Sequence, residues 1–244
     1  MSSTPSVRRL EQIAYDFWCA PEVEEQDGWR LRFAHRVTGR ANSVWPNGDG
    51  AAPLAEKLER VERWYAERAA PALFQLTAAA RPAGLARVLL ARGYVWRGAA
   101  VSVETADLDE VVARSSGEAD LDDEPDDAWV GLWTGTRAFE RRDVARQILL
   151  ASPGRTVFAR TGAVAVGRGV VSGEWLGITS MATLPAARRR GHARAIVHAL
   201  ATWARGLGAR RALLQVEEAN VAARRLYAQV GFTPSHVYRY CRQP

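Results

Sequence analysis

In the second half of the chain the hydrophobic period changes twice. Trp175 to Pro185 reads Trp-Leu-Gly-Ile-Thr-Ser-Met-Ala-Thr-Leu-Pro, a short apolar and β-branched run that predicts a buried strand ended by Pro185. Ile196, Leu200 and Trp203 then fall at i, i+4, i+7, one face of a helix that begins near Ala193 and is stopped by Gly206 and Gly208. Ala212-Leu213-Leu214-Gln215-Val216 returns to strand character. Asn220 then caps a helix that carries Leu226 and Tyr227 and is stopped by Gly231. The predicted order is strand, turn, helix, strand, capped helix, strand.

The turn before the first of these helices is Arg188-Arg189-Arg190-Gly191-His192-Ala193. A glycine-containing turn that opens a helix leaves backbone N–H groups without intrahelical partners at the positive end of the helix dipole. Three arginines add charge-assisted donors, so the segment reads as a pyrophosphate cradle. A solvated helix start or a nucleic-acid patch would also carry a basic triplet.

With these elements in order, the sequence resembles the GNAT superfamily of acetyl-coenzyme A-dependent N-acetyltransferases. Arg188 to Ala193 is similar to its Arg/Gln-x-x-Gly-x-Gly/Ala motif, and Asn220-Val221-Ala222-Ala223-Arg224-Arg225-Leu226-Tyr227-Ala228-Gln229-Val230-Gly231-Phe232 to its second signature. The resemblance covers roughly residues 115 to 244. It implies that the backbone of Met181, Ala182 and Thr183 pairs with the pantetheine arm of acetyl-CoA, and that Arg188, Arg189, Arg190, Gly191, His192, Ala193 and Arg194 hold the pyrophosphate. It also implies that Asn220 faces the arm and that Tyr227 is the acid that protonates the leaving thiolate. From the residues alone, Tyr227 reads equally as a packed helix tyrosine and Asn220 as a cap.

The first half repeats the second in degraded form. Pro46 ends a strand-like Arg40 to Trp45, a helix carries Trp64, Ala72 to Thr77 reads as a strand, and Arg92-Gly93-Tyr94 closes a further helix. Pro46 and Trp64 precede Pro185 and Trp203 by 139 residues, and Val88, Gly93 and Tyr94 precede Leu226, Gly231 and Phe232 by 138. Where the second half has the cradle, the first has Asp49-Gly50-Ala51-Ala52-Pro53-Leu54, with an acid that repels phosphate and a proline that removes a donor; Leu89 stands in place of Tyr227. The expected fold is α/β, with tandem GNAT-like lobes of mixed sheet flanked by helices. Residues 1–114 form a degenerate lobe without a coenzyme site and 115–244 the catalytic domain. This whole-chain pattern resembles a bacterial two-lobed group described as N-acetylglutamate synthases. It implies acetylation of a small primary amine, L-glutamate first, with a protein N-terminus, an aminoglycoside-type amine or a non-catalytic acyl-CoA sensor as the alternatives.

Composition limits the rest. The net charge is +6, with Lys57 the only lysine, which favours an anionic ligand; in so Arg- and Ala-rich a chain that charge is no evidence for nucleic acid, and neither nucleic acid nor membrane is expected as a partner. The chain shows no signal-like or membrane-length apolar run, and Cys19 and Cys241 lack metal spacing, as in a cytoplasmic protein, monomer or homodimer, with reduced thiols. Ser115 to Asp127 reads as a solvated acidic linker or as a carboxylate rim for a cationic substrate. For the general base, the position that carries Glu in some relatives is Gln215; Glu217 and Glu218 beside it, Glu174 and His236 are the alternatives, the last also reading as a surface histidine. His192 and His198 are six apart, off the helical i, i+4 spacing, so no metal is expected. An Arg-lined cleft would suit an amino-acid carboxylate and an Asp/Glu-lined one a polycation, and the sequence does not place Arg40, Arg160 or Arg168 in either.

Overall fold

In the computed structural model, which describes residues 5–135 and 141–244, the first half runs α1 (Val7–Asp16), β1 (Glu22–Gln26), β2 (Trp29–Phe33), β3 (Trp45–Pro46), α2 (Leu54–Ala66), β4 (Leu73–Leu76), α3 (Leu85–Ala91) and the long β5 (Val95–Asp107). The second half runs α4 (Leu108–Arg114), β6 (Asp120–Asp122), α5 (Asp127–Gly135), α6 (Arg142–Leu150), β7 (Arg155–Thr161), β8 (Ala165–Ser172), β9 (Trp175–Thr183), α7 (His192–Gly206), β10 (Arg211–Glu217), α8 (Val221–Gln229) and β11 (Thr233–Arg242). The helix over Ile196, Leu200 and Trp203 forms as the periodicity predicts. Ile196 and Leu200 are fully buried on the sheet, and the glycine stops fall where α7 ends. No helix among the described residues is long and apolar enough to cross a membrane.

The larger sheet has eight strands in the order β4-β11-β5-β10-β9-β8-β7-β6. It is mixed: β9 and β10 run parallel, the other neighbours antiparallel. Here the two halves exchange strands. β5, from the first half, lies between β10 and β11, while β11 continues outward to pair with β4. A cut after residue 114, where the sequence places a lobe boundary, therefore takes the central strand from the second half. A fragment of residues 115–244 is expected to be insoluble, because β10 and β11 lose their shared partner and Val170, Trp175, Leu213 and Tyr238 lose the cover of Leu10, Ile13 and Phe17. A soluble fragment with native-like circular dichroism and a single peak in gel filtration would contradict this.

Four apolar clusters hold the layers. α7 and Tyr227 of α8 pack on one face of the sheet with Ile178, Leu214 and Val216. α1 covers the opposite face through Leu10, Ile13 and Phe17, against Val103, Val170 and Leu213. Gly177 is what lets α1 approach so closely, since a Cβ there would sit 2.2 Å from the Phe17 ring. α2 and α3 pack around Trp29 and Phe74, and α5 and α6 around Trp129 and Phe158.

Two local expectations are corrected. Arg40–Asn42 is a 3-10 turn, not a strand, because the Asn42 side chain organises the preceding loop: its Oδ1 accepts from the N–H groups of Ala34 and Arg36, both at 2.8 Å, and its amide donates to Thr38 O at 2.6 Å. The acidic linker contains a strand, β6, held on the sheet edge by β7.

Candidate active site

The sheet opens between β9 and β10. Their parallel pairing runs from Trp175/Arg211 to Ile178/Leu214 and stops, after which β10 keeps only β5 as a neighbour. β9 is re-aimed at that point by a bulge against β8, where Val166 opposes Ala182 and Arg168 opposes Thr179. Ser180, inside the bulge, takes φ +53°, a left-handed conformation that costs a non-glycine residue energy and clusters at functional positions. Met181, Ala182 and Thr183 thus lie on a strand whose β10-facing side has no strand partner. Ser180 Oγ and Gln215 Oε1, one from each diverging strand, are buried without a hydrogen-bond partner among the described residues. The unpaired backbone edge of β9 beyond Ile178 suits an extended amide-bearing chain.

The arginine turn sits at the end of β9. Arg189 (φ +61°) and Gly191 (φ +86°) are both left-handed, the backbone pattern that turns successive N–H groups inward. The first bond inside α7 runs from Ala195 N–H to Gly191 O at 3.0 Å, so His192, Ala193 and Arg194 keep N–H groups without intrahelical acceptors. The Arg188, Arg189 and Arg190 side chains are exposed, whereas Arg194 is tied to Arg114 O at 3.0 Å and Gln229 Oε1 at 3.1 Å, which fixes the start of α7 against α8.

The equivalent turn in the first half holds an anion of its own. The Asp27 carboxylate accepts from Ala51 N–H at 2.8 Å and Ala52 N–H at 3.1 Å, and Lys57 Nζ closes the loop on the carbonyls of Asp27 and Asp49, both at 2.7 Å. Asp49 and Pro53, which the sequence sets against a phosphate here, are joined by a third feature. The loop is occupied by Asp27, a residue from the β1–β2 turn, whose carboxylate the backbone N–H groups of Ala51 and Ala52 hold. The two N–H groups and Lys57 hold the Asp27 carboxyl below its usual range. A depressed carboxylate stabilises the fold while ionised and loses that contribution as pH falls through its folded-state value. The Tm of Asp27→Asn should therefore lie below that of wild type at pH 7, the gap closing as pH falls below the ordinary value of 3.8. Thermal melts from pH 7 to pH 3 check this, and a gap independent of pH contradicts it.

Tyr227 is buried in α8, its ring 5.9 Å from Phe232, in the same cluster as Ile178, Leu214 and Val216, with Met181 packed against it. Asn220 is the cap the sequence indicates, its Oδ1 accepting from Ala223 N–H at 3.2 Å. Glu217 and Glu218 are exposed at the end of β10, and neither carboxylate makes a hydrogen bond or ion pair among the described residues. Glu174 lies before β9, at the far end from the gap.

His236 is not a surface histidine. Its Nε2 lies 2.8 Å from Glu11 Oε1, with both side chains buried. Glu11 Oε2 in turn accepts from Gln75 Nε2 at 2.8 Å, and Gln75 Oε1 accepts from Arg32 Nη2 at 2.9 Å. This network lies on the α1 face of the sheet, where Glu11, Tyr15, Arg32, Arg40, Trp45 and Gln215 line a cleft beside the parting strands. Glu11 and Tyr15 reach it together because i and i+4 share a helix face. Of the three arginines named from the sequence, only Arg40 lines this cleft. Arg160 is paired with Asp122 and Asp126 at 2.9 and 2.8 Å. Arg168 is fully buried beneath the C-terminus of α1, donating to Phe17 O at 2.9 Å and Ser152 Oγ at 2.7 Å, and burial pushes its pKa down to about 9. The signal for Glu11 was absent from the sequence, because it meets His236 across almost the whole chain and belongs to no motif.

Comparison with known proteins agrees with this geometry. A family model described as "Probable histone acetyltransferase Rv0428c C-terminal" matches residues 4–241. The chain is 27% identical to the uncharacterized N-acetyltransferase YobR of Bacillus subtilis (strain 168), over 97% of this chain and 99% of that protein. Among solved structures, a GCN5-related N-acetyltransferase from Kribbella flavida superposes with a TM-score of 0.67 at 16% identity, covering 97% of this chain and 93% of the other. A tandem GNAT protein from the clavulanic acid biosynthesis pathway gives a TM-score of 0.63 at 12% identity, over 100% of this chain and 89% of the other. At such identities the structural likeness speaks for the fold alone.

Proposed function

The chain belongs to the family described as "Probable histone acetyltransferase Rv0428c C-terminal" and is a GNAT-type N-acetyltransferase, and from that premise we propose that it acetylates the primary amine of a small acceptor, L-glutamate first among the candidates. The observation that carries the reading is the gap between β9 and β10, where Met181, Ala182 and Thr183 lack a strand partner on the β10 side, with an N–H-rich basic turn at its end and Tyr227 in the core cluster that includes Ile178 and Leu214. Acetyl-CoA supplies an activated thioester. The turn's N–H groups and Arg188, Arg189 and Arg190 hold its pyrophosphate, and the backbone of Met181, Ala182 and Thr183 fixes its arm. A strand N–H near Met181 donates to the carbonyl oxygen as charge grows there. The neutral amine attacks the thioester carbon directly, the C–N bond forming and the C–S bond then breaking. Tyr227 gives its proton to the departing sulfur, a step of modest cost for a phenol of pKa ~10 and a thiol of ~8.5, and the proton shed by the new amide nitrogen passes to solvent, from which Tyr227 is reprotonated. Positioning is the largest part of such catalysis.

A lysine-rich or aminoglycoside acceptor is disfavoured by the charge distribution. The acidic run keeps Glu118, Asp120, Asp123 and Glu124 outside the pairs that Arg160 makes with Asp122 and Asp126 and Arg146 with Asp127, but the cleft beside the gap sets Arg32 and Arg40 against one carboxylate, Glu11. Offered acetyl-CoA with separate pools of amino acids, polyamines and lysine-rich peptides, the enzyme should release free thiol with the first. Release with polyamines or peptides alone would transfer the assignment to a cation-selective enzyme, and coenzyme binding without release from any pool would make the protein a sensor.

A further inference from the structure

We propose that the cleft under α1 is an acceptor site for a zwitterionic amino acid, with the carboxylate on Arg40 and the ammonium between Glu11 and Gln215; the proposal rests on the transfer reaction above. The cations around the cleft are not equivalent. Arg32 is spent: it is buried, and its guanidinium donates to Ser43 O at 2.9 Å, Ser43 Oγ at 2.7 Å and Gln75 Oε1 at 2.9 Å. Arg40 makes no ion pair and its guanidinium no hydrogen bond among the described residues, although it is half-buried. Its guanidinium lies over the Trp18 ring, 4.9 Å from the centroid, which holds the planar fork by its face and leaves the N–H edge open to a carboxylate.

The opposite pole is negative and oriented. His236 and Gln75 each engage one oxygen of Glu11, fixing the carboxylate in place, and each oxygen retains a lone pair for an ammonium donor. Gln215 Oε1 is a second, unused acceptor. Because Gln215 is the first β10 residue past the last β9–β10 pair, an ammonium held there sits at the gap where the thioester arm is expected. The stacked Tyr15 and Trp45 rings, 5.7 Å apart, also wall the cleft. Among the described residues, a fixed anion at Glu11 and an unpaired cation at Arg40 favour a molecule carrying both charges over a diamine.

The test compares each amino acid with its decarboxylated amine by thiol release. Wild type should favour the best acid by about 10-fold or more, the value of a lost charge-assisted bond. Arg40→Gln should raise the KM of that acid by about 10- to 100-fold with coenzyme affinity unchanged, Arg40→Lys should restore part of it, and Arg40→Glu should reverse the preference toward the amine. Glu11→Gln should raise the same KM. Equal use of acid and amine by wild type, or an unchanged KM in Arg40→Gln, overturns the proposal while leaving acetyl transfer intact. If no amine releases thiol, the transfer reading fails and the site is judged by NMR line broadening of the amino-acid pool: broadening lost in Arg40→Gln sustains the site, and equal or absent broadening overturns it.

Discussion

Tyr227→Phe should lower turnover by about 10²–10⁴-fold, the usual contribution of a positioned proton donor, with coenzyme affinity nearly unchanged. The substitution removes one hydroxyl and keeps the ring, and the ring makes the packing against Phe232 in the α7–α8 core. A fall confined to kcat therefore reports proton delivery, whereas a matching loss of thermal stability would report packing. Turnover within about threefold of wild type would mean that solvent or another group protonates the sulfur.

The second large effect belongs to the arginine turn. Replacing Arg189 and Arg190 together with Ala should weaken acetyl-CoA binding by ~2–4 kcal/mol, taking ~1–2 for each charge-assisted bond. Gly191→Val should be comparably damaging. No atom lies within 4 Å of a Cβ built there, so crowding within the chain is not the cause; the φ of +86° is, because a β-branched residue cannot hold it and the N–H groups would turn away. Calorimetry that finds unchanged affinity in both variants would remove the turn from the coenzyme site.

The second half was legible because its signals are local. The strand ending at Pro185, the Gly191 turn, the Asn220 cap and the Gly206 stop each act over a few residues, and the elements form there. The first half was legible only in outline. Arg40 to Trp45 has strand composition, yet the buried Asn42 amide satisfies four loop groups at once and the chain turns instead. The strand exchange and the acceptor cleft were illegible for a common reason: both are made by residues far apart in the chain. Nothing in Val95 to Asp107 specifies a seat between β10 and β11, and nothing in the first helix marks Glu11 as the partner of His236. The filling of the first-half loop by Asp27 was likewise illegible, because its anion comes from a turn 24 residues earlier than the N–H it meets at Ala51.

The central claim is that one coenzyme binds per chain, in the β9–β10 gap, with its phosphates on the Arg188 to Ala193 turn. A crystal structure of the protein grown with coenzyme A tests it most directly. The account predicts a single molecule whose arm runs beside Met181, Ala182 and Thr183, whose sulfur lies next to Tyr227, and an Asn47 to Pro53 loop still closed by Asp27 and Lys57. A coenzyme on that loop, or one that leaves the β9–β10 gap empty, would contradict it.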